Sequence, residues 1–398
     1  MQQELRELES YTNSRGLLPG LAHIHITENG SASAGDGDVE LYIPKSSLPK
    51  GPWSANAAQL VAMARAAGDD ATLSIDGENI LITSKDFSGR VALAVNDGTV
   101  VSLQSQYVEK GSPEVMKIPH PHAFSEALRR CAPFASVDGA AGGHWTGVLI
   151  RGDKTLAASN QGFHITEAVF DGPFRKAGQP DIIIPARAAL AAANAGAITS
   201  MEVNNEQGIG LFTLESGHIV LFRLLSGPMV DGKPGKYPDV DKALTEQMPP
   251  DEVFAAVGDL QVATQRAGIA ADTKNPRIAL EFDENGWFVS CQGNGETSVT
   301  LEKFQPGAGA AAVVLPPALW ELVLTHASEV APVNDLWFRS RFEIDHNNAK
   351  QSFLLRGVMS GMNYGQEGET IPVEEAAKPA PESKKGKAKA PKAVKKGV

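Results

Sequence analysis

Cysteine is scarce: two in 398 residues, Cys131 and Cys291, far apart in the chain. That excludes a disulfide framework and every cysteine-based metal spacing, and it points to a reducing compartment. Long apolar runs are missing too. No stretch of about 20 apolar residues exists, so no segment reads as a membrane-spanning helix. The opening Met1-Gln-Gln-Glu-Leu-Arg-Glu is polar and charged, unlike a secretory leader. A cytoplasmic protein is expected. Several catalytic signatures are also lacking. There is no Gly-x4-Gly-Lys-Ser/Thr loop to cradle a phosphate. Ser216-Gly-His218 lacks the strand–turn–helix setting of a nucleophile elbow. His120-Pro-His122 offers two metal-ligand types, but no cysteine, histidine or aspartate cluster in the sequence completes a site. His23 and His25 alternate on one strand and read as exposed rather than ligating. No enzyme, metal or cofactor is expected.

Positive charge is in deficit, with 36 basic against 47 acidic residues and a net charge of −11. Its distribution is uneven. Lys378–Val398 holds eight lysines and one glutamate, or +7; subtracting that from −11 leaves −18 for the rest. Beyond about Gly365 the chain is Lys/Ala/Pro/Glu-rich with little to bury, so residues 366–398 read as a disordered tail. Its lysines suit weak contact with DNA; a merely solubilising role is the other reading.

What the chain does hold is one pattern written three times. An apolar strand ends near a proline, a helix follows, and short alternating strands come next. The second copy is clearest: Ile182-Ile-Ile-Pro185, a helix over 186–195, then strands near Met201, Gly210 and Ile219. The third runs from Val313-Val-Leu-Pro316 through a helix from Ala318 to about Glu329 and then three strands. The first opens at Gly51-Pro-Trp53, with a helix over 57–67 and strands near Ala71, Asn79 and Arg90. Each copy is preceded by another helix and more strands: a helix over 2–13 before the first, one through Phe124, Leu128 and Cys131 before the second, and one over 251–267 before the third. Residues 28–38 read as a turn. Repetition on this scale describes an assembly of similar modules rather than one catalytic fold. The fold class is α+β: three tandem modules, each with two helices packed on antiparallel sheet. The expected boundaries are 1–112, 113–246 and 247–365. Polar or Gly/Pro-rich connections at 109–117 and 227–241 mark the joins.

Four short segments, in order along this repeat, resemble the bacterial DNA polymerase III beta sliding clamp family. They are Arg15-Gly-Leu-Leu-Pro-Gly-Leu, Asn160-Gln-Gly-Phe-His-Ile, Ile182-Ile-Ile-Pro-Ala-Arg and Gly235-Lys-Tyr-Pro-Asp. The match covers most of residues 4–359. It implies a homodimer of three-domain chains closed head to tail into a ring, with helices lining a channel for duplex DNA. It also implies a cleft between the second and third domains where a polymerase and a clamp loader dock peptide motifs. The chain departs from the family in places. Gln161, Phe163 and His164 replace the family's Asp, His and Arg. The family's Met-Pro-Met-Arg terminus becomes Arg356-Gly-Val-Met359, and the family's opening strand is expected to be absent. This divergence suggests a viral or otherwise remote member.

The resemblance nominates residues. Arg15, Arg65, Arg129, Arg130, Arg187 and Arg266, on or beside predicted helices, are expected to face DNA, with His144 and Trp145 beside a Gly-rich loop. Each arginine would otherwise be an ordinary solvated side chain, and Trp145 an ordinary core residue. The peptide cleft is assigned Asn160, Gly162, His164, Ile165, Pro238, Leu244, Leu355, Val358 and Met359, some of which also read as core. The ring interface is assigned Val91 of one chain against Ile269 and Ala270 of the other. An acidic body opposes non-specific affinity for phosphates, but a ring is retained by topology and needs little of it. The rival reading is a peptide-binding scaffold of the same fold that never encircles DNA.

Overall fold

The computed structural model describes residues 1–13, 18–94, 102–107, 113–136, 143–160, 164–179, 181–225, 229–230, 233–234, 237, 239–245, 247–274, 276–291 and 297–361. Arg15, Gly162, Pro238 and the tail lie outside them. The eight α-helices among the described residues are α1 (Gln2–Glu9), α2 (Ala57–Ala67), α3 (Leu103–Gln106), α4 (Pro121–Cys131), α5 (Ala186–Ala195), α6 (Val240–Thr245), α7 (Leu260–Gly268) and α8 (Pro317–His326). Six of them pack in pairs, α1 with α2, α4 with α5 and α7 with α8.

Local chemistry starts and stops these helices. The Asn56 side chain accepts from the Gln59 amide at 3.0 Å and caps α2, which ends at Gly68 with φ +86°. Pro121 and Pro317 occupy first-turn positions of α4 and α8, where no amide partner is needed. In α4, Phe124, Leu128 and Cys131 recur at helical spacing and are buried. The facing helix α5 is almost all alanine. Ala188, Ala189, Ala192 and Ala193 are fully buried, so the pair approaches closely.

The sheets show how the copies join. Val39–Ile43 is the last strand of a four-stranded half-sheet that runs on through Ala32–Gly35 and His23–Ile26 to Trp53–Asn56. It pairs antiparallel with Ile219–Arg223, the last strand of another half that continues through Ile209–Leu214 and Ile198–Asn204 to Glu114–Lys117. The result is one eight-stranded sheet. A second forms the same way. His164–Phe170, Thr155–Asn160, Gly147–Arg151 and Ile182–Pro185 make one half. Ala349–Met359, Asp335–His346, Glu329–Val333 and Ala255–Ala256 make the other. Register across this second junction matches His164 with Met359 and Phe170 with Phe353. Gly357 sits at its centre because a Cβ there would meet the Phe338 ring and lie 2.6 Å from the Ile165 carbonyl.

Two partial sheets are left over. One is Thr72–Asp76, Asn79–Ser84 and Phe87–Ala92, and the other is Thr297–Thr300, Gly286–Cys291, Ile278–Asp283 and Val313–Leu315. Strand for strand, Phe87–Ala92 occupies the place of Ile219–Arg223 and Ala349–Met359. Thr297–Thr300 occupies the place of Val39–Ile43 and His164–Phe170. Each module therefore has a helix pair and two kinds of half-sheet.

Four sequence expectations change. The third copy's helix, expected from Ala318 to about Glu329, ends at His326 because Glu329–Val333 pairs as a strand, and the strands expected near Leu336 and Phe342 are one, Asp335–His346. The helix expected over 251–267 is a 3-10 turn (Asp251–Val253), a short strand (Ala255–Ala256) and then α7. Gly258, at φ +45°, breaks the path, and the strand pairs with Glu329–Val333. The turn expected over 28–38 contains the strand Ala32–Gly35. Its small residues hide the alternation in which Ala32 and Ala34 are buried. The first helix stops at Glu9 rather than Asn13. Among the described residues, the first module's second half-sheet has three strands.

Candidate functional site

The helix pairs are close to neutral, unlike the acidic remainder of the body. The six paired helices carry six arginines against five glutamates, a net +1. Removing that from −18 leaves −19 on the remainder of the body. The acidic excess therefore lies on sheets and loops. Arg65 and Arg266 are exposed in the last turns of α2 and α7. Arg129, Arg130 and Arg187 are engaged. Arg129 binds Glu126, donates to the Ala193 carbonyl and reaches Asn194 Oδ1 at 3.2 Å, closing the end of α5. Arg130 is held by Glu126 at 2.7 Å, donates to the Thr325 carbonyl at 3.3 Å and lies 4.9 Å over the Phe342 ring. It thus ties α4 to the end of α8. Arg187 pairs with Asp36. These three are predicted contacts that the structure puts to structural use first.

His144 is 3% exposed, and burial lowers its pKa. Its ring lies 4.7 Å from Trp145 and 6.5 Å from Tyr237. Tyr237 belongs to a second apolar assembly, on the face of the second eight-stranded sheet opposite the main core. There Leu149, Ile165, Val240, Leu244, Val253 and Trp337 form a cluster separate from the main core. Val358 packs on its margin, directly opposite Ile165 in the ladder. The short helix α6 lies across this face, touching both strands of the junction. The Tyr237 hydroxyl donates to the carbonyls of Gly147 and Ala157, each at 3.3 Å.

Strand alternation divides the predicted cleft residues. Ile165, Leu244 and Val358 meet in the outer cluster. Leu355 and Met359 point through the sheet into the main core and are fully buried. Asn160 and His164 are ladder partners at the rim, both half-buried. Sequence reading missed Trp337, Val240 and Tyr237, which come from segments whose approach only the tertiary fold reveals. It also missed the charged pair in the floor. Glu167, nearly inaccessible, takes Arg356 Nε at 2.6 Å across the junction and lies 3.7 Å from Arg151. A buried charge needs such a partner, so removing either side of this pair leaves an uncompensated charge at the junction of two modules.

The residues assigned to the ring interface lie on the two leftover sheets and beside them. Val91 belongs to the unmatched strand Phe87–Ala92, with its side chain turned into the core. Ile269 directly follows α7 and is 86% exposed; Ala270 is half-buried beside it. No helix among the described residues is long and apolar enough to cross a membrane.

No protein-family model matches the chain, and no curated protein matches it in sequence. Solved structures do match. A Pseudomonas aeruginosa sliding clamp (DNA polymerase III subunit beta) bound to griselimycin is 14% identical, with a TM-score of 0.65 over 91% of this chain and 97% of that one. A Helicobacter pylori beta clamp in complex with a DNA ligase peptide is 15% identical, with a TM-score of 0.60 over the same shares. Identity this low carries no residue roles, but agreement along nearly the whole of both chains leaves one reading of the architecture. The chain has the fold of the bacterial beta sliding clamps.

Proposed function

We propose that the protein is a DNA sliding clamp. Two copies close head to tail into a ring around duplex DNA, and the ring tethers a replicative polymerase, with a clamp loader, through peptide motifs. One observation carries this reading. Within the chain, every half-sheet ending in a strand like Val39–Ile43 is joined to one ending in a strand like Ile219–Arg223, except the two that are left over. The unmatched edges, Phe87–Ala92 and Thr297–Thr300, are of opposite kinds. Each can therefore be covered by the other from a second copy, which also removes two exposed edges. With domains at 1–112, 113–246 and 247–365, two such junctions give a closed, symmetric six-domain dimer.

Arg65 and Arg266 then face DNA from the helix lining, with Arg129, Arg130 and Arg187 contributing field more than direct contact. Acids elsewhere act weakly across the wall, since the Debye length is about 8 Å at physiological salt. The tail adds loose, salt-sensitive contact. The outer cluster of Ile165, Leu244, Val358 and Trp337 is the peptide site, because an apolar groove rimmed by polar groups suits an extended segment. The protein performs no chemistry and works in the cytoplasm. Sedimentation equilibrium tests the closure. The account predicts about twice the chain mass of 42.1 kDa at micromolar concentration. A strict monomer would favour the non-encircling scaffold.

A further inference from the structure

We infer that His122, Glu215 and His346 form a site for a divalent transition-metal ion of the zinc type. Three elements converge here. His122 is the second residue of α4, fixed in place by Pro121 before it and buried Phe124 after it. Glu215 begins the tight turn between Ile209–Leu214 and Ile219–Arg223, where Gly217 adopts φ +82°. His346 ends the strand Asp335–His346. The chain then reverses over Asn347 and Asn348, both left-handed at φ 51° and 63°, as a two-residue hairpin turn requires. The first two ligands belong to the second module and the third to the tip of the third module's hairpin.

The donors are already close. His122 Nε2 lies 3.4 Å from Glu215 Oε2, and the His122 and His346 rings overlap with centroids 3.6 Å apart. Each of the three residues offers one ligand atom within 4.8 Å of the others. His122 Nε2 is enclosed and makes no hydrogen bond, so it has a lone pair or proton without a proper partner. Ligand atoms around a tetrahedral zinc, with bonds of about 2.0–2.2 Å, stand about 3.4 Å apart. The contraction needed is therefore at most about 1.4 Å, and the His346 ring must also turn out of its stacked position to aim its lone pair at the ion; the exposed tip of its hairpin allows both. Two imidazoles and one carboxylate suit zinc, cobalt or nickel and not magnesium or calcium, which take oxygen donors. A cavity of about 250 Å³, lined also by His120, Ile344 and Gln351, adjoins the three and has room for water at a fourth position.

The corresponding contact at the first junction shows what is particular here. His218, on the equivalent hairpin turn, meets Glu7 of α1 at 3.0 Å as a simple pair. Only the second junction, among the described residues, adds a second imidazole. A bound ion would pin the third module's hairpin to the start of α4 and so stiffen the join between modules two and three. This role does not depend on ring closure.

The test is a titration of the chelator-stripped full chain with Zn²⁺, by calorimetry and by competition against a chromogenic chelator. One saturable site per chain is expected. His346→Ala and Glu215→Gln, both at exposed turns, should each weaken it by at least about tenfold to a hundredfold. Co²⁺ should give the intense visible absorption of a tetrahedral complex, and this should vanish in His122→Gln/His346→Ala. Circular dichroism of these variants should match the parent. Absence of stoichiometric binding, or equal binding by parent and double variant, would overturn the assignment.

Discussion

Replacing Ile269 by aspartate should split the proposed dimer without harming the subunit. In the isolated chain this side chain is 86% exposed, so its loss removes almost no intramolecular packing. An exposed substitution of this kind changes folding stability by about 0.5 kcal/mol or less. In the closed ring the same residue would be buried against the neighbouring copy's first module. Burying an isoleucine contributes about 1.5–3 kcal/mol, and symmetry counts it twice, for about 3–6 kcal/mol per ring. A carboxylate left without a partner at each junction adds a further cost of at least about 1 kcal/mol. Even the low end, about 5 kcal/mol, weakens dimerisation by about a few thousandfold. Sedimentation velocity from nanomolar to micromolar concentration reads the change directly, and thermal melting controls for the fold. An unchanged dissociation constant for Ile269→Asp would refute the reasoning, since it would place Ile269 outside any interface.

Other substitutions probe the interior and the cleft. Gly357→Ala should lower stability by about 1–3 kcal/mol in denaturant melts, because the new methyl meets the Phe338 ring and the Ile165 carbonyl; an unaltered midpoint would show that the second junction yields. Val358→Asp should abolish binding of a fluorescent polymerase-type peptide and leave the mass of the assembly unchanged, and retained affinity would move the peptide site elsewhere. Burial first, and then the Arg130 charge, push the His326 pKa down to about 4. The unfolded chain takes up this proton near pH 6.5 and the folded chain does not. Stability is therefore present above pH 6.5 and falls as the pH drops toward 4. The full shift corresponds to about 3 kcal/mol, which partial exposure and screening reduce to about 1–2 kcal/mol. His326→Gln should flatten this part of the pH profile in urea melts, and an unchanged slope would assign the acid sensitivity to other groups.

The modular plan was legible because its signals are local. Proline–helix starts, the helical spacing of Phe124, Leu128 and Cys131, and alternating strands recur three times, and the structure repeats accordingly. Where local signals mislead, a longer-range partner wins. Residues 251–267 have helical spacing throughout, yet Ala255–Ala256 are drawn off as an edge strand by Glu329–Val333. Ala32–Gly35 is too poor in apolar bulk to announce itself, and pairing on both sides makes it a strand. For the cleft, the sequence located the junction strands but not their facing. Leu355, Val358 and Met359 look alike in a row, and only the ladder register separates Val358 from the two that enter the core. The arginines teach a similar lesson. Arg129 and Arg130 read as a basic face, but the ends of α5 and α8 need donors, and these two side chains supply them. Of the histidine–glutamate cluster only His122 was legible, as half of His120-Pro-His122, since Glu215 and His346 become its neighbours only through two hairpins that return to one helix.

Retention on closed circular DNA tests the encircling ring most directly. After incubation with a relaxed plasmid, the complex is challenged with high salt, which screens phosphate contacts, and half of the sample is then linearised with a single-cut nuclease. The account predicts that protein stays on the circle through gel filtration and runs off the linear molecule. Equal loss from both forms would contradict it.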